Sequence, residues 1–519
     1  MSVPTVDSPY AVTEAELVEK AKLKKNFGRF NILFFLVCTI VGVDTIGAVA
    51  TYGATAFTWL LILAVVFFIP SALLVAELGT AFPEEGGPYV WTRLAFGRLV
   101  GAINNFMYWV TTPVWLGGTL AVLAATTFST FFLSSANMST PVFFLFTLGF
   151  IWVGVLSTIF SFRVGKWVPT VGAWSRFALL GFFTFSVGIY AVKNGVHGFG
   201  FTDFGLTKVG LFGLVPLLLF NFVGFEVPST AGDEMVNPQK DIPFAIARSA
   251  VLAMLLYGLP ILGILLVLPI DQVTSLGGFI NAIKTVFTVY GGSVSANGAV
   301  LTGAGAFLGG IAAIMFILAL LSSGVTWLMG SDRALAVSGF DGAAPRFLGV
   351  ISARFGTPLR VNIFSGIVAT LVLVLAHQIT GGNSQKLFVA VLGMVVSTTL
   401  LSYIGIFPAL IVLRRKYPNV PRPYKAPFPM AISIVLTVLV VFSSVQLLAP
   451  GLGADWFGAG YAPSGWDPSQ KWSYLETEAI PLLIFVVIAF FFWLSGRGTR
   501  AHLATTEELA AARAESGAI

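Results

Sequence analysis

Cysteine and histidine are scarce in this chain, and their scarcity excludes several kinds of chemistry. The 519 residues include one cysteine, Cys38, and three histidines. A single cysteine cannot close an intrachain disulfide, and it cannot supply the repeated thiolates typical of a structural zinc site. His197, His377 and His502 lie far apart in the sequence, and no phosphate-binding P-loop is present. We therefore expect no metal, no cofactor, no coupling to ATP hydrolysis and no enzymatic activity.

Charge is also rare. Charged residues make up 10% of the chain, whereas soluble domains carry about 25%. The chain is 56% hydrophobic, with a mean hydropathy of +0.90, and this composition is typical of a polytopic helical membrane protein. Residues 1–26 are polar and lack the apolar core of a secretory signal, so we expect no cleavable signal peptide.

Twelve apolar stretches are long enough to cross a membrane core of about 30 Å, which takes about 20 residues. The stretches at 98–132 and 302–338 exceed this length, so we expect them to tilt or to extend past the bilayer. The short amphipathic segment 278–290 is predicted to be a surface helix between spans. The predicted spans are 28–51, 55–78, 98–132, 141–161, 167–192, 209–234, 243–269, 302–338, 361–379, 387–413, 429–449 and 479–496.

Positive charge is concentrated at alternate ends of these spans. Of the 29 Lys and Arg residues, 23 fall in the N-terminal segment, in alternate loops or in the C-terminal tail. The positive-inside rule then predicts a protein of the cytoplasmic membrane with both termini in the cytoplasm. Because this alternation explains the net charge of +6, we expect no nucleic-acid partner.

The chain also contains a hint of internal repetition. Each of two sets of five spans opens with a glycine-interrupted helix that bears a carboxylate: Asp44 in TIVGVDTIGAVA and Glu226 in FNFVGFEVPSTAGDE. Interrupted segments at matching positions of two halves point to the binding site of a transporter. Five crossings per half would invert the second half relative to the first. The predicted divisions are 1–26 (cytoplasmic segment), 27–192 (first repeat), 209–413 (second repeat), 429–496 (two peripheral helices) and 497–519 (cytoplasmic tail).

Asp44 is the most informative residue of the first span. A lone carboxylate at mid-membrane depth costs roughly 2.5–3.5 kcal/mol on insertion scales. The flanking Gly42 and Gly47 are poor helix formers, at about 1 kcal/mol each relative to Ala. A charge beside weak helix formers favours a broken helix that lines a polar cavity. The alternative is an Asp that caps a helix end or pairs with a neighbouring helix for packing.

Three stretches resemble the amino acid–polyamine–organocation (APC) superfamily. They are AELGTAFPEEGGPYVWTRLAFG (76–97), FNFVGFEVPSTAGDEMVNPQKDIP (220–243) and SDRALAVSGFDGAAPRFLGVISARFGTP (331–358). The first is similar to the family's acidic, glycine-paired signature, the second to its broken sixth helix, and the third to the stretch after its eighth helix. The resemblance covers roughly residues 27–427. It implies an all-α, LeuT-type five-plus-five inverted repeat with two peripheral helices, and secondary transport of amino acids or related amines.

The resemblance also implies where the substrate binds. In the family the break of helix one typically reads Gly-small-Gly, and its amides take the substrate α-carboxylate. The matching positions here are Gly42, Val43 and Asp44, so the second glycine has become a carboxylate. This change would repel a substrate carboxylate and attract an amine, a polyamine or another cation. The predicted substrate-binding residues are Gly42, Val43, Asp44, Thr45, Asn105, Phe222, Val223, Gly224, Phe225 and Glu226.

Several of these residues have alternative roles. Glu226 could gate, take up a proton or hydrogen-bond the broken backbone. Phe222 and Phe225 could close over a ligand, with cation–π contacts worth about 0.5–2 kcal/mol; the alternative, in a chain with 48 phenylalanines, is that they face lipid or pack in the core. Asn105 matches a family position that faces the substrate, and the alternative is an interhelical hydrogen bond. Arg176 is similar to the basic residue that some sodium-independent members place where sodium would bind. Arg stays protonated, so it would be a fixed charge; the alternative is a side chain that snorkels to the interface.

The sequence thus predicts a secondary transporter that works by alternating access without sodium, driven by a proton gradient or by exchange. A channel in which Asp44 lines a conductive pore remains the alternative. A membrane-embedded enzyme is less favoured because no acid–base or metal cluster is visible. The expected partners are an amino acid or amine substrate and membrane lipid. The particular substrate, the direction of transport, the coupling ion and the oligomeric state stay open.

Overall fold

The computed structural model describes residues 12–133, 138–164, 167–295, 298–458, 460–463, 466–502 and 504. Within this part of the chain, eleven helices are long and apolar enough to cross a membrane. A shorter apolar helix, Gly210–Asn221, forms the first half of the interrupted sixth span. Together these helices correspond to the twelve predicted spans. The prediction of a nearly all-helical, multi-pass membrane protein is confirmed.

The bounds of the helices show which spans are continuous. The helices are α1 (Glu14–Lys20), α2 (Arg29–Ile40), α3 (Ile46–Ala50), α4 (Thr55–Leu63), α5 (Ile69–Ala81), α6 (Pro88–Phe96), α7 (Arg98–Trp115), α8 (Ala121–Phe132), α9 (Thr140–Val164), α10 (Trp167–Asn194), α11 (Val215–Asn221), α12 (Pro238–Val267), α13 (Gly278–Phe287), α14 (Gly303–Phe340), α15 (Leu359–Ile379), α16 (Ser384–Lys416), α17 (Pro429–Leu448), α18 (Lys471–Ser495) and α19 (Arg497–Arg500).

Two spans are broken where glycine and charge coincide in the sequence. In the first span, α2 ends at Ile40, an extended segment and a 3-10 turn (Val43–Thr45) follow, and the helix resumes as α3. In the sixth span, α11 ends at Asn221, and a 3-10 helix begins only at Val227. Between them Gly224 adopts φ +115, a conformation that L side chains rarely adopt. Both interruptions therefore lie within the predicted segments.

The two breaks lie against each other. The Thr39 hydroxyl donates to the carbonyl oxygen of Gly224 at 3.4 Å. A Cβ atom added to Gly224 would lie 3.4 Å from the Thr39 carbonyl oxygen and 3.2 Å from the Trp327 ring. The glycine therefore allows the backbone of the sixth span to approach the first span closely. Side chains from both breaks are thereby gathered into one region of the bundle.

The structure departs from the predicted elements in several details. A two-stranded antiparallel hairpin, β1 (Gly292–Ser295) and β2 (Gly298–Leu301), precedes α14. The segment predicted as a surface helix is helical as α13, but most of its side chains are buried. The second and third spans each contain a five-residue π-helical turn, at Ala64–Phe68 and Leu116–Leu120. Such single turns are frequent at functional sites.

One end of the bundle gathers most of the basic segments, and we call it the basic end. It is formed by residues 12–28, 82–97, 341–358 and 414–428, which contact one another through ion pairs and hydrogen bonds. For example, the Thr13 hydroxyl donates to the Phe340 carbonyl oxygen at 2.6 Å, and the Lys416 ammonium donates to the Ala95 carbonyl oxygen at 2.6 Å. The opposite end carries the β-hairpin. The contacts thus join segments that the alternation of charge had grouped together.

Candidate functional site

Asp44 lies within the first break, and its carboxylate is buried with one oxygen unused. The side chain is 2% exposed. Its Oδ2 accepts a hydrogen bond from the indole Nε1 of Trp115 on α7 at 2.7 Å. Within the described part of the chain, Oδ1 has no hydrogen-bond partner, and Asp44 forms no ion pair. An unpaired carboxylate oxygen in an apolar interior is costly, so this atom is the first candidate for binding a cation.

Aromatic rings surround the Trp115 side chain that holds Asp44. Its ring meets the Phe220 ring edge-on at 6.0 Å between centroids, and the Trp327 ring edge-on at 6.2 Å. The Trp327 indole in turn donates to the Thr39 carbonyl oxygen at 3.0 Å, which ties α14 to the end of α2. The carboxylate is therefore held beside aromatic surfaces, which attract cations through their ring faces.

Glu226 occupies the second break and is fully buried. Its Oε1 accepts from the Tyr108 hydroxyl at 3.2 Å, and its Oε2 accepts from the backbone N–H of Gly224 at 3.2 Å. The Tyr403 hydroxyl oxygen accepts from the same N–H at 3.2 Å. The carboxylate therefore accepts a hydrogen bond from a backbone N–H within the break and links the break to α7. Hydrogen bonding to the broken backbone is one of the roles that the sequence left open.

The phenylalanines of the second break pack within the protein. Both rings stack obliquely on Phe68, with centroid distances of 4.8 Å for Phe222 and 4.9 Å for Phe225. Both side chains are buried, as is Val223 between them. Phe68 belongs to the π-helical turn of the second span. The contacts shown here are packing contacts that support the break.

Asn105 of α7 forms a hydrogen bond to α14. Its amide donates to the Ala334 carbonyl oxygen of α14 at 3.0 Å, which is the interhelical hydrogen bond considered as its alternative role. Tyr108, three residues further along α7, is the side chain that reaches Glu226. Residues three apart lie on neighbouring positions of a helix face. The helix segment that carries Asn105 therefore contributes to this region through Tyr108.

Arg176 of α10 lies at the first break and not at an interface. It is fully buried, and its guanidinium donates to three backbone carbonyls and two hydroxyls from other spans. Nε donates to the Val41 carbonyl oxygen at 2.9 Å. The other partners are Ala319 O at 2.7 Å, Ser322 Oγ at 2.7 Å, Ser323 Oγ at 2.5 Å and Cys38 O at 3.4 Å. The side chain does not snorkel, because its N–H groups are directed into the bundle.

The residues that sequence reasoning missed are partners from distant spans. They include Trp115, Trp327 and Tyr257. Asn221 was also missed; it ends α11 in the sixth span itself, and its side-chain nitrogen and oxygen are both buried without a hydrogen-bond partner in the described structure. One signal could have found Trp115. It follows Tyr108 by seven residues, which is about two helical turns, so the two side chains share a face of α7.

The basic end is closed by buried ion pairs. Asp341, just after α14, accepts from Arg93 at 2.7 Å and from Arg98 at 3.1 Å, and the Tyr89 hydroxyl donates to its other oxygen at 2.5 Å. Burial raises the pKa of Asp341, but the two guanidinium groups outweigh it and hold that pKa below its ordinary value. The carboxylate is therefore ionised and binds both arginines at neutral pH.

The N-terminal helix α1 adds to this closure. The Lys20 ammonium lies 3.0 Å from Glu16, 3.5 Å from Glu84 and 3.7 Å from Asp233. Burial lowers the pKa of Lys20, but the three carboxylates raise it above its ordinary value. Lys20 therefore links α1 to the loop after the second span and to the end of the sixth. These contacts tie the segments of the basic end to one another.

No metal centre accompanies the site. Among the residues that the structure describes, no cluster of three or more His, Cys, Asp or Glu side chains is placed to hold a metal ion. The polar groups near the breaks are two carboxylates, hydroxyls, indole N–H groups and one guanidinium. This set can bind and release a cation or a proton.

The chain matches known proteins over most of its length. A family model described as "Amino acid permease" matches residues 27–459. A protein of Lactococcus lactis named "Probable agmatine/putrescine antiporter AguD" is 28% identical over 435 residues, which cover 82% of this chain and 89% of that protein. The "Branched-chain amino acid permease BcaP" of Bacillus subtilis is 25% identical, covering 78% and 84%. The "Polyamine transporter PUT1" of Oryza sativa is 25% identical, covering 83% and 77%.

Proposed function

Because the chain belongs to the amino acid permease family, we propose that it is a secondary transporter whose preferred substrate is an amine that lacks an α-carboxylate. The family consists of transporters, so the chain is a membrane transporter and not an enzyme. The observation that carries the proposal is the unpaired Oδ1 of Asp44 within the first break. A substrate ammonium is its natural partner, whereas a substrate carboxylate would meet like charge.

The relatives differ in what their names say they carry. AguD is named for agmatine and putrescine, and PUT1 for polyamines, whereas BcaP is named for branched-chain amino acids. Identities of 25–28% do not by themselves choose among these substrates. Asp44 supports the amine side of this range, because its carboxylate stands where the family resemblance expects a glycine amide for the substrate carboxylate.

Alternating access is the transport mechanism that we propose. Its supports are the two adjacent helix breaks and the closed basic end, which together leave Asp44 and Glu226 buried. We further propose that residues 27–192 and 209–413 form inverted repeats around this site, and that residues 429–496 are peripheral. We also propose that the basic end, and with it both termini, lies in the cytoplasm of a cell-membrane protein. The excess of Lys and Arg at that end supports this orientation. The coupling is to exchange or to a proton gradient.

Sodium has no role in this proposal. The oxygens of Cys38, Val41, Ala319, Ser322 and Ser323 converge on the Arg176 guanidinium. Carbonyl and hydroxyl oxygens of this kind are ligands for hard cations. A guanidinium already satisfies them, and it would repel a second cation at the same place.

Counterflow tests the substrate class. The purified full-length chain is reconstituted into liposomes and offered matched pairs: arginine and agmatine, ornithine and putrescine, lysine and cadaverine, leucine and isoamylamine. We expect saturable counterflow with amines and little with the parent amino acids. Transport of the amino acids with exclusion of the amines would contradict the proposal. Conductance without counterflow would favour the channel alternative. Protein-free liposomes and liposomes with the Asp44→Asn variant are the controls.

A further inference from the structure

The first and seventh spans, α2 and α12, start side by side at the basic end. The segments that precede them pair, since the Val236 N–H donates to the Phe27 carbonyl oxygen at 3.2 Å. α2 begins at Arg29. In α12, the stretch from Arg248 to Val267 has about the 20 residues that cross a membrane. Both arginines therefore lie where a span meets the membrane surface.

One aromatic ring brings the two arginines together. The guanidinium carbon of Arg29 lies 4.9 Å from the centroid of the Phe244 ring, and that of Arg248 lies 3.7 Å from the same centroid. The two guanidinium groups can therefore be no further apart than the sum of these distances. The ring attracts both cations, which offsets part of their mutual repulsion. This separation lets one phosphate group accept a hydrogen bond from each arginine.

Both arginines keep N–H groups that the described part of the protein does not use. Arg29 donates through Nε to Asp241 Oδ1 at 3.1 Å, and Arg248 donates through one terminal nitrogen to the Phe244 carbonyl oxygen at 3.2 Å. An arginine has five N–H groups, and both side chains are exposed. Asp241 balances one of the two charges, and the exposed Lys240 adds another positive charge beside it in the sequence. The pair therefore carries an excess of positive charge and donors for an anion.

Exposed apolar side chains lie next to the arginines, on the membrane side. On α2, Phe30 is 61% exposed, and its ring meets the Phe244 ring edge-on at 6.0 Å. On α12, Val251 and Leu255 are 63% and 52% exposed. They follow Arg248 by about one and two helical turns, so they share its face of the helix. A molecule bound here meets cations at the membrane surface and apolar side chains toward the membrane interior.

We propose that Arg29 and Arg248 form a site for the phosphate of an anionic phospholipid, whose acyl chains lie over Phe30, Val251 and Leu255. Guanidinium groups match the geometry of phosphate oxygens, and the apolar side chains supply contacts that a soluble phosphate cannot make. A zwitterionic lipid adds its own cation, which the arginines repel. With the basic end in the cytoplasm, as proposed above, the lipid belongs to the cytoplasmic leaflet. The inference does not depend on what the protein transports.

The site joins two helices that meet again at the first break. There the hydroxyl of Tyr257, on α12, donates to the Ile40 carbonyl oxygen at 2.8 Å and accepts from the Gly42 N–H at 2.8 Å. A phosphate held by both arginines links the same two helices at the membrane surface. Because the lipid binds the folded protein and not the unfolded chain, bound lipid should raise the thermal stability of the protein.

Lipid binding is measured on the purified full-length protein in mixed micelles, by titration with fluorescent phosphatidylglycerol against phosphatidylcholine. The wild type should bind phosphatidylglycerol saturably and melt at a higher temperature with it, and phosphatidylcholine should do neither. Arg248→Gln should weaken binding about tenfold, as expected for the loss of one charged hydrogen bond. Asp241→Asn removes the carboxylate that competes for Arg29, so it should strengthen binding.

The matched control is Arg354→Gln. Arg354 is also an exposed arginine of the basic end, and its guanidinium carbon lies 5.3 Å from the centroid of the Phe355 ring. It has no place in the proposed site, so the variant should bind phosphatidylglycerol as the wild type does. Soluble glycerol 3-phosphate, which carries the phosphate without acyl chains, should not displace the lipid at equal concentration.

Several results would overturn the inference. Equal affinity for phosphatidylglycerol in Arg248→Gln and Arg354→Gln would mean that only the general positive charge of the basic end attracts the lipid. Phosphatidylcholine bound as tightly as phosphatidylglycerol would mean that the site does not distinguish headgroup charge. Displacement by glycerol 3-phosphate would identify a site for free phosphate. Unchanged or weaker binding in Asp241→Asn would show that Arg29 does not contact the lipid.

Discussion

At the scale of single residues, Arg176 and Asp44 are the two charges of the first break, and the structure gives them different surroundings. Arg176 directs its N–H groups to five oxygens from α2, its C-terminal extension and α14. Asp44 has one indole donor and one unused oxygen. The guanidinium is thus internally satisfied, whereas the carboxylate is not. The surroundings of Arg176 are therefore those of a fixed structural charge, and the surroundings of Asp44 are those of a charge that can bind a ligand.

Replacing Arg176 by alanine should make the stability of the protein depend on sodium. The substitution leaves buried carbonyl and hydroxyl oxygens unpaired, at about 1–3 kcal/mol each, so Arg176→Ala should melt at a lower temperature. Sodium could then bind the vacated oxygens and recover part of the loss. Thermal stability and uptake are measured in sodium, potassium and choline.

The wild type should transport equally in all three, and its failure in both potassium and choline would refute sodium independence.

The sequence located the charged residues but not their partners. Asp44, Glu226 and Arg176 could be found because charge inside an apolar span is costly enough to be conspicuous. Tyr257 could not, because a tyrosine in an apolar span is ordinary and its contact with Gly42 depends on how the spans pack. Asn105 donates to the Ala334 carbonyl oxygen, whereas Tyr108 on the same helix reaches Glu226. Contacts between spans depend on tertiary packing, and the sequence pattern within one span does not show which residues of another span it will contact.

At the scale of elements, Gly224 permits the second break. Its φ of +115 is strained for any L side chain, and a Cβ would crowd Trp327 at 3.2 Å and the Thr39 carbonyl oxygen at 3.4 Å. Its N–H is also the donor shared by Glu226 and Tyr403. One glycine therefore allows the unusual backbone, the approach of the two breaks and the anchoring of the carboxylate.

Gly224→Ala should damage the protein far more than a matched glycine change in a continuous helix. Backbone strain of this kind costs about 1–3 kcal/mol, and the added methyl must also displace Trp327. The control is Gly181→Ala in α10, where a Cβ meets nothing within 4 Å. Melting temperature and counterflow are measured on both. A Gly224→Ala protein as stable and active as Gly181→Ala would mean that the break does not depend on this backbone conformation.

Among the elements, the sequence predicted spans and breaks well because both follow from local composition. Twenty apolar residues indicate a span, and glycine beside charge indicates an interruption. The β-hairpin was missed because its strands are four residues each, too short to give an alternating pattern. The burial of α13 was missed because its amphipathic pattern resembles that of a surface helix, while in the fold it packs against α10, α12 and α14.

At the scale of the whole molecule, the basic end contains two buried carboxylates, Glu85 and Glu234, that repel each other and share one arginine. Arg333 binds Glu234 at 2.8 Å and Glu85 at 3.3 Å. Burial and the charge of Glu234 raise the pKa of Glu85 well above its ordinary value, although Arg333 opposes the change. A carboxyl whose pKa is raised on folding stabilises the protein at low pH and loses that effect as pH rises through the raised pKa.

Glu85→Gln should therefore flatten the dependence of stability on pH. The amide cannot ionise, so it avoids repulsion from Glu234 at alkaline pH. As pH rises from the ordinary pKa of a glutamate through the raised pKa of Glu85, the melting temperature of the wild type should fall more than that of the variant. Asp341 is not expected to contribute to this decline, because its pKa is lowered and it stays ionised throughout that range. Parallel curves for wild type and variant would contradict the assignment to Glu85.

Across the bundle, α7 presents donors to three buried carboxylates on other spans. Trp115 donates to Asp44, Tyr108 to Glu226, and the Trp109 indole to Asp332 of α14 at 3.1 Å. Asp332 also accepts from the Ser365 hydroxyl at 2.6 Å, and its second oxygen is unpartnered in the described structure. Asp332 therefore resembles Asp44 in burial and hydrogen bonding, but it lies outside the two breaks.

The most direct test of the account compares Asp44→Asn with Asp332→Asn on the same purified protein. Both substitutions remove a buried carboxylate held by an indole, so both should alter thermal stability. If Asp44 binds the substrate ammonium, only Asp44→Asn should lose putrescine affinity, by about 2–5 kcal/mol, or roughly 30-fold or more. Asp332→Asn should bind as the wild type does. Unchanged affinity in Asp44→Asn, together with reduced stability, would mean that Asp44 only ties helices together and that the central claim is wrong.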